Sequence, residues 1–144
     1  MILLPDVNIL VAAHRGDHPM HDRCRAVLDG PGREGFAGCA HIWNGFLRLV
    51  THPKIFTAPT PLELALATVS AWRNRPDFRS LPDTPAVWET FATLCRRRHA
   101  QGNAVYDLHL AALAMAHGAV LVSSDTSFAH FDGLAWRGPE SLTL

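Results

Sequence analysis

Cysteine is scarce in this 144-residue chain, which carries only Cys24, Cys39 and Cys95. Three widely separated thiols build neither a disulfide framework nor a paired-cysteine zinc site, so they read as free or buried thiols. Net charge is also lacking, because thirteen basic residues balance thirteen acidic ones. The whole molecule therefore has no basic signature of nucleic-acid binding, and any such surface has to be local. No apolar run approaches the roughly 18 residues of a membrane span. The first residues, MILLPDVNIL, have no basic leader and are interrupted by Asp6. The segment does not read as a signal peptide, which makes the cytoplasm the expected location. Nine histidines are scattered without an HExxH or similar pair, which argues against catalytic zinc. Internal repeats, low-complexity stretches and linkers are missing as well.

What the chain does have is apolar content, 48% hydrophobic against 18% charged residues. A chain of this size buries roughly 68% of its unfolded surface in one core, so one domain is expected over 1–144. Ile2 to Leu4 forms a short apolar run, then Pro5 and Asp6, then a helix opening with Val7, Ile9, Leu10 and Val11, a buried strand turning into a helix. A second helix is expected from about Pro19 to Leu28, capped by Asp17 and ended by Gly30-Pro31-Gly32. Gly35 to Cys39 fits a second strand, and His41 to Thr51 a helix that stops before Pro53. Thr60-Pro61 and Thr84-Pro85 each open a further helix, with Phe78 to Leu81 a possible strand between them. Tyr106 to His117 reads as an alanine- and leucine-rich helix ended by Gly118, and Ala119 to Ser123 as a buried strand with Asp125 just beyond it.

Helices alternating with short buried strands predict a mostly parallel sheet covered on both faces. Ligands bind such sheets beyond the carboxyl ends of the strands. Asp6 and Asp125 both fall at that edge, and Asp107 lies near the start of a helix packed alongside. Three carboxylates meeting there can hold Mg²⁺ or Mn²⁺, hard cations that prefer oxygen ligands. Each also has a plainer role. Asp6 and Asp125 can cap helices for about 1 kcal/mol each, and Asp107 can be a first-turn acid favoured by the helix dipole. His109, two residues after Asp107, points elsewhere on its helix and reads as packing or surface. The run Arg96-Arg97-Arg98-His99, with Arg73, Arg75 and Arg79 upstream, fits either a phosphate-attracting patch or a solvated helix end. Trp72, Trp88 and Trp136 read as core or interface residues, and Trp43 is expected beside the metal site.

The strings PDVNILVAAH, WNGFLRLVTHPKIF, NAVYDLHLAALAMAHGAVLVSSDTSF and FDGLAW, in this order and at these intervals, resemble the PIN-domain toxins of the VapC type. The resemblance spans nearly the whole chain. It implies a three-layer α/β/α domain with a mostly parallel sheet of four or five strands. It also implies a ribonuclease of a toxin–antitoxin pair that uses Mg²⁺ or Mn²⁺, leaves 3′-hydroxyl and 5′-phosphate ends, works as a homodimer and is silenced by a cognate antitoxin protein. By position, Asp6 is similar to the first acidic ligand, Asp107 to the acid of the downstream helix, and Asp125 to the acid after the fourth strand. Asn8 and Ser124 match polar positions that support the site, and Arg48 a recurrent arginine on the third helix.

The pattern is departed from in the window His41-Ile42-Trp43-Asn44-Gly45, where the family has a further acid and this chain has none. Asn44 offers only a neutral carbonyl oxygen, and Ser127 stands where another aspartate is common. A site poorer in charge binds metal more weakly. It is compatible with slow catalysis, with an inactive PIN-like module that binds RNA or a partner protein, and with a PIN nuclease for RNA processing or DNA. An acid placed at Asn44 or Gly45 is expected to strengthen it. The helices from Pro19 to Leu28 and from His41 to Thr51 are the expected antitoxin groove.

Overall fold

The computed structural model describes residues 2–30 and 35–142. Pro31 and Gly32, expected to end the second helix, lie outside the described residues. Strand β1 (Leu3–Pro5) leads into helices α1 (Val7–His14) and α2 (His21–Asp29), then β2 (Phe36–Gly38) and α3 (Ala40–Val50). Helix α4 (Leu62–Arg73), strand β3 (Phe78–Ser80), helices α5 (Pro85–Arg98) and α6 (Asn103–His117), and strands β4 (Val120–Val122) and β5 (Trp136–Arg137) complete the set, with 3₁₀ turns at Thr126–His130 and Pro139–Ser141. The five strands are ordered β3-β2-β1-β4-β5, and every neighbouring pair is parallel.

Successive strand residues point to opposite faces of a sheet. Leu3 and Leu4 of β1, and Leu121 and Val122 of β4, are all 0% exposed. Both faces of the central strands are therefore covered, which is the three-layer arrangement expected of an all-parallel sheet. Helix α1 packs on α2 and α3, and α5 on α6. Thr84 caps α5, its hydroxyl accepting from the Val87 amide at 3.3 Å with Pro85 in the first turn. Gly118 ends α6 in the left-handed region, at φ 65°.

Two boundaries differ from the sequence expectation in ways that bear on the site. Helix α6 starts at Asn103, so Asp107 lies beyond its first turn and the dipole explanation of that acid does not apply. Helix α2 starts at His21 without a side-chain cap. Asp17 is drawn off to Arg15, 3.3 Å away. The cysteines are free, Cys24 and Cys39 buried and Cys95 partly so, as expected. Among the described residues no helix is long and apolar enough to cross a membrane.

Gly38, at the end of β2, is required by a close approach. A Cβ there would stand 2.3 Å from the Trp43 ring, which packs with Trp72 and Phe78 at centroid distances of 6.3 and 5.8 Å. Gly38→Ala is expected to destabilise the fold by about 1–3 kcal/mol through overpacking. A lowered urea midpoint at unchanged slope would show it, and an unchanged midpoint would mean that Trp43 swings aside freely.

Candidate metal centre

From β1 the sheet grows through β2 to β3 on one side, and the chain then returns to lay β4 on the other side of β1. The strand order reverses between β1 and β4, and a crevice opens at their carboxyl ends. Pro5 of β1 pairs with Val122 of β4, so the residues just beyond them are brought together. The Asp6 amide donates to the Val122 carbonyl at 2.8 Å. Asp6 Oδ1 accepts from the Val7 amide at 2.7 Å, and Oδ2 accepts from the Ser123 hydroxyl at 2.7 Å. The same Ser123 Oγ accepts from the Asp125 amide at 3.1 Å and from Asn8 Nδ2 at 3.5 Å. Asp125 Oδ1 in turn accepts from the Ser127 amide at 3.0 Å, capping the 3₁₀ turn. Asp6 and Asp125 thus do cap the segments that follow them, as the plainer reading had it, and they share one buried serine while doing so.

Electrostatics link the third acid to this pair. Burial holds the Asp6 carboxyl above the ordinary carboxylate range, and the charge of Asp125 adds to that, against the lowering effect of its hydrogen bonds to Ser123 and Val7. Asp107 is raised too, first by burial and then by the charges of Asp6 and Asp125. The ion pairs of the described residues include none of the three. Mutual repulsion without a basic partner is the condition that a bound cation relieves. The donors are all hard carboxylate oxygens, which suit Mg²⁺ or Mn²⁺ rather than zinc. They are nevertheless loosely disposed, since among the described residues no group of three His, Cys, Asp or Glu side chains is close enough to hold an ion by itself.

Residues 3–134 match the family model of the PIN domain. The chain is 36% identical over 132 residues to Ribonuclease VapC31 of Mycobacterium tuberculosis, covering 90% of this chain and 93% of that one. The chain belongs to the PIN-domain family. It is also 36% identical over 140 residues to Ribonuclease VapC43 of the same organism, with 96% and 95% covered. Among solved structures, VapBC2 from Rickettsia felis bound to a promoter DNA fragment overlays with a TM-score of 0.69 at 19% identity, covering 96% of this chain and 98% of that one. FitAB bound to a DNA fragment overlays at 0.64 and 23% identity, with 100% and 99% covered. At those identities the overlays speak for the PIN fold alone.

Within this PIN domain the remaining candidates do not all fall together. Ser124 is exposed, and only its backbone amide approaches Asn8 Oδ1, at 3.5 Å. The serine that bonds Asp6 is its neighbour Ser123, which is fully buried. The signal available in the sequence was that a serine ending an otherwise apolar strand must find a partner if it is buried. Ser127 lines a cavity with Asp107. Asn44 and Arg48 line a neighbouring cavity of about 480 Å³ with His41 and Tyr106. Tyr106 joins that cavity to the acids, its hydroxyl pushed up to about 12 by burial first and then by the charge of Asp6. Trp43, expected beside the metal site, is buried against Gly38, Trp72 and Phe78. Gly45 has no room for an acid, since a Cβ there would stand 2.9 Å from Val7 and 3.1 Å from the Tyr106 hydroxyl. Of the two positions considered for an added ligand, only exposed Asn44 remains. His109 packs as expected, stacked on Phe91 at 4.9 Å.

The raised Asp6 carboxyl makes stability depend on pH in metal-free buffer. Its unfolded counterpart ionises near 3.8 and the folded one at higher pH. Between those values the folded state binds more protons than the unfolded state, so stability falls as pH rises through that window. Asp6→Asn has no such titration. Its melting temperature in EDTA is expected to fall less between pH 4 and pH 8 than that of the wild type, as followed by circular dichroism. Parallel profiles would overturn the assignment.

Proposed function

We propose that this PIN domain is a metal-dependent endoribonuclease, the toxin of a two-protein toxin–antitoxin pair. The observation that carries the reading is the set of three mutually repelling carboxylates, Asp6, Asp107 and Asp125, at the β1–β4 crevice with no basic partner among the recorded ion pairs. Mg²⁺ keeps several of its waters and is held directly by only one or two carboxylates plus substrate phosphate, which suits acids that do not form a closed cage. Asp6, Asp107 and Asp125 would hold the ion, and a bound divalent cation supplies an activated water and neutralises charge developing on the phosphodiester. The chain's own groups do the rest. Ser123 fixes the orientation of Asp6, and Asn8 reinforces Ser123. Arg48, exposed at the rim beside Tyr106, attracts the phosphate backbone.

The VapC relatives carry the name ribonuclease, and the fold neighbours are solved as VapBC and FitAB, which supports both RNA as substrate and an antitoxin as partner. The groove for that partner is assigned to α4 rather than to α2 and α3. Cys24, Val27 and Leu28 of α2 and Ile42, Phe46 and Val50 of α3 are buried, whereas Leu62, Leu64 and Leu66 of α4 and Ile55 before it are exposed. One specific observation favours a second reading: without a closed triad of ligands among the described residues, the domain can be a PIN-like module that binds RNA without cutting it.

Asp6→Asn and Asp125→Asn are each expected to lower Mg²⁺- or Mn²⁺-dependent RNA cleavage by at least a hundredfold while the protein stays folded, because an amide is a far poorer ligand than a carboxylate. Cleavage of a mixed-sequence RNA by purified protein, with and without EDTA, measures this. Wild type that binds the RNA but never cuts it selects the second reading. Leu62→Glu with Leu66→Glu is expected to abolish co-purification with the co-expressed product of the gene immediately upstream while leaving cleavage intact; an undiminished complex would remove α4 from the groove.

A further inference from the structure

Between the turn joining α5 to α6 and the 3₁₀ turn after β4 lies a cavity of about 320 Å³. Its wall includes Asp107 and Ser127, next to the candidate metal centre, together with Arg98, His130 and Phe131. The Arg98 guanidinium carbon sits 3.9 Å from the centroid of the Phe131 ring. Arg98 Nη2 donates to the His130 carbonyl at 2.7 Å. A guanidinium held from two sides is a fixed plane rather than a mobile point charge. It is also uncommitted electrostatically, because the ion pairs of the described residues do not include it. The turn that presents it is set by two residues in the left-handed region, His99 at φ 49° and Gly102 at φ 61°.

The volume stands near the lower end of small-molecule pockets, roughly 300–1,000 Å³, enough for one nucleoside and too little for a duplex. Unpaired bases stack on aromatic rings and on guanidinium planes. Ala100, Leu108 and Phe131 in its wall suit the apolar face of a base better than a phosphate. Arg96 and Arg97, exposed on the same helix end, remain for the backbone.

We propose that this cavity is a nucleobase subsite, taking one unpaired base of single-stranded RNA next to the scissile phosphate and setting sequence preference at that position. The proposal rests on the ribonuclease reading above. Its test uses the intact protein and a randomised single-stranded RNA pool, with the ends cut in Mg²⁺ or Mn²⁺ read by sequencing. In parallel, binding of four fluorescein-labelled homo-oligoribonucleotides is followed by anisotropy in EDTA. Wild type is expected to prefer a base at one position flanking the cut. Arg98→Ala, Phe131→Leu and Ala104→Phe, the last filling the cavity from an exposed position of its wall, should each reduce that preference and the matching affinity roughly tenfold or more, the order expected for one stacked base. Arg98→Lys should not restore it, since the charge returns without the plane. Arg96→Ala should weaken all four oligonucleotides alike and leave the preference unchanged. If wild type cuts nothing, the ribonuclease reading falls, and the binding arm still decides the subsite. Ala104→Phe with the wild-type preference and affinities overturns it, as does equal binding of all four oligonucleotides by wild type and the Arg98 and Phe131 variants.

Discussion

The hydrogen bond from the Ser123 hydroxyl to Asp6 is the contact on which the site depends. Both residues are buried, Asp6 at 8% exposed and Ser123 at 0%, so neither can take its hydrogen bonds from bulk water. A hydroxyl has one proton and two lone pairs. Ser123 gives the proton to Asp6 and uses its oxygen to accept from Asp125 and Asn8. Its carbonyl accepts from the Trp136 indole at 3.2 Å. One side chain and one carbonyl thereby tie together β1, β4, β5 and the capped turn beyond β4. The side-chain orientations on which the centre relies are consequences of that arrangement.

The protein tolerates the buried carboxyl of Asp6 because the strands beneath it are wholly apolar. Leu3, Leu4, Leu121 and Val122 are fully buried on both faces of the sheet, and burial of each such side chain is worth roughly 1.5–3 kcal/mol. The carboxylates sit at the ends of these strands, so their repulsion acts on the rim of the sheet rather than within it. Stability and chemistry are separated along the strand direction. The layers supply the first, and the proposed chemistry falls to the residues just past the last ladder hydrogen bonds.

Most of this architecture was legible in the sequence wherever a local signal was strong. Asp6 after an apolar strand, Thr84-Pro85 before a helix and Gly118 after one each carry their own physical rule, and each lies where that rule places it. The errors arose where a residue had two competing partners or where geometry across layers decided. Asp17 suited a cap, but Arg15 lay nearer. Trp43 follows its helix period into the core, a direction that spacing alone does not give. Ser123 and Ser124 are neighbours with opposite fates, because alternation along a strand buries one and exposes the other. The two-residue strand β5 has no periodicity to detect and is defined only by its ladder to β4. At the centre, the position of each acid in the chain was readable, whereas how closely the acids converge depends on packing between layers.

The order in which the ribosome makes this chain also matters. The hydroxyl that holds Asp6 belongs to a residue 117 positions later. Strand β1 has its β2 neighbour early but must wait for β4 before its other edge is covered. Until β4 has been made, the polypeptide carries Asp6 without the residue that fixes it and without Asp125. Topology alone delays this corner of the fold until β4 has joined β1.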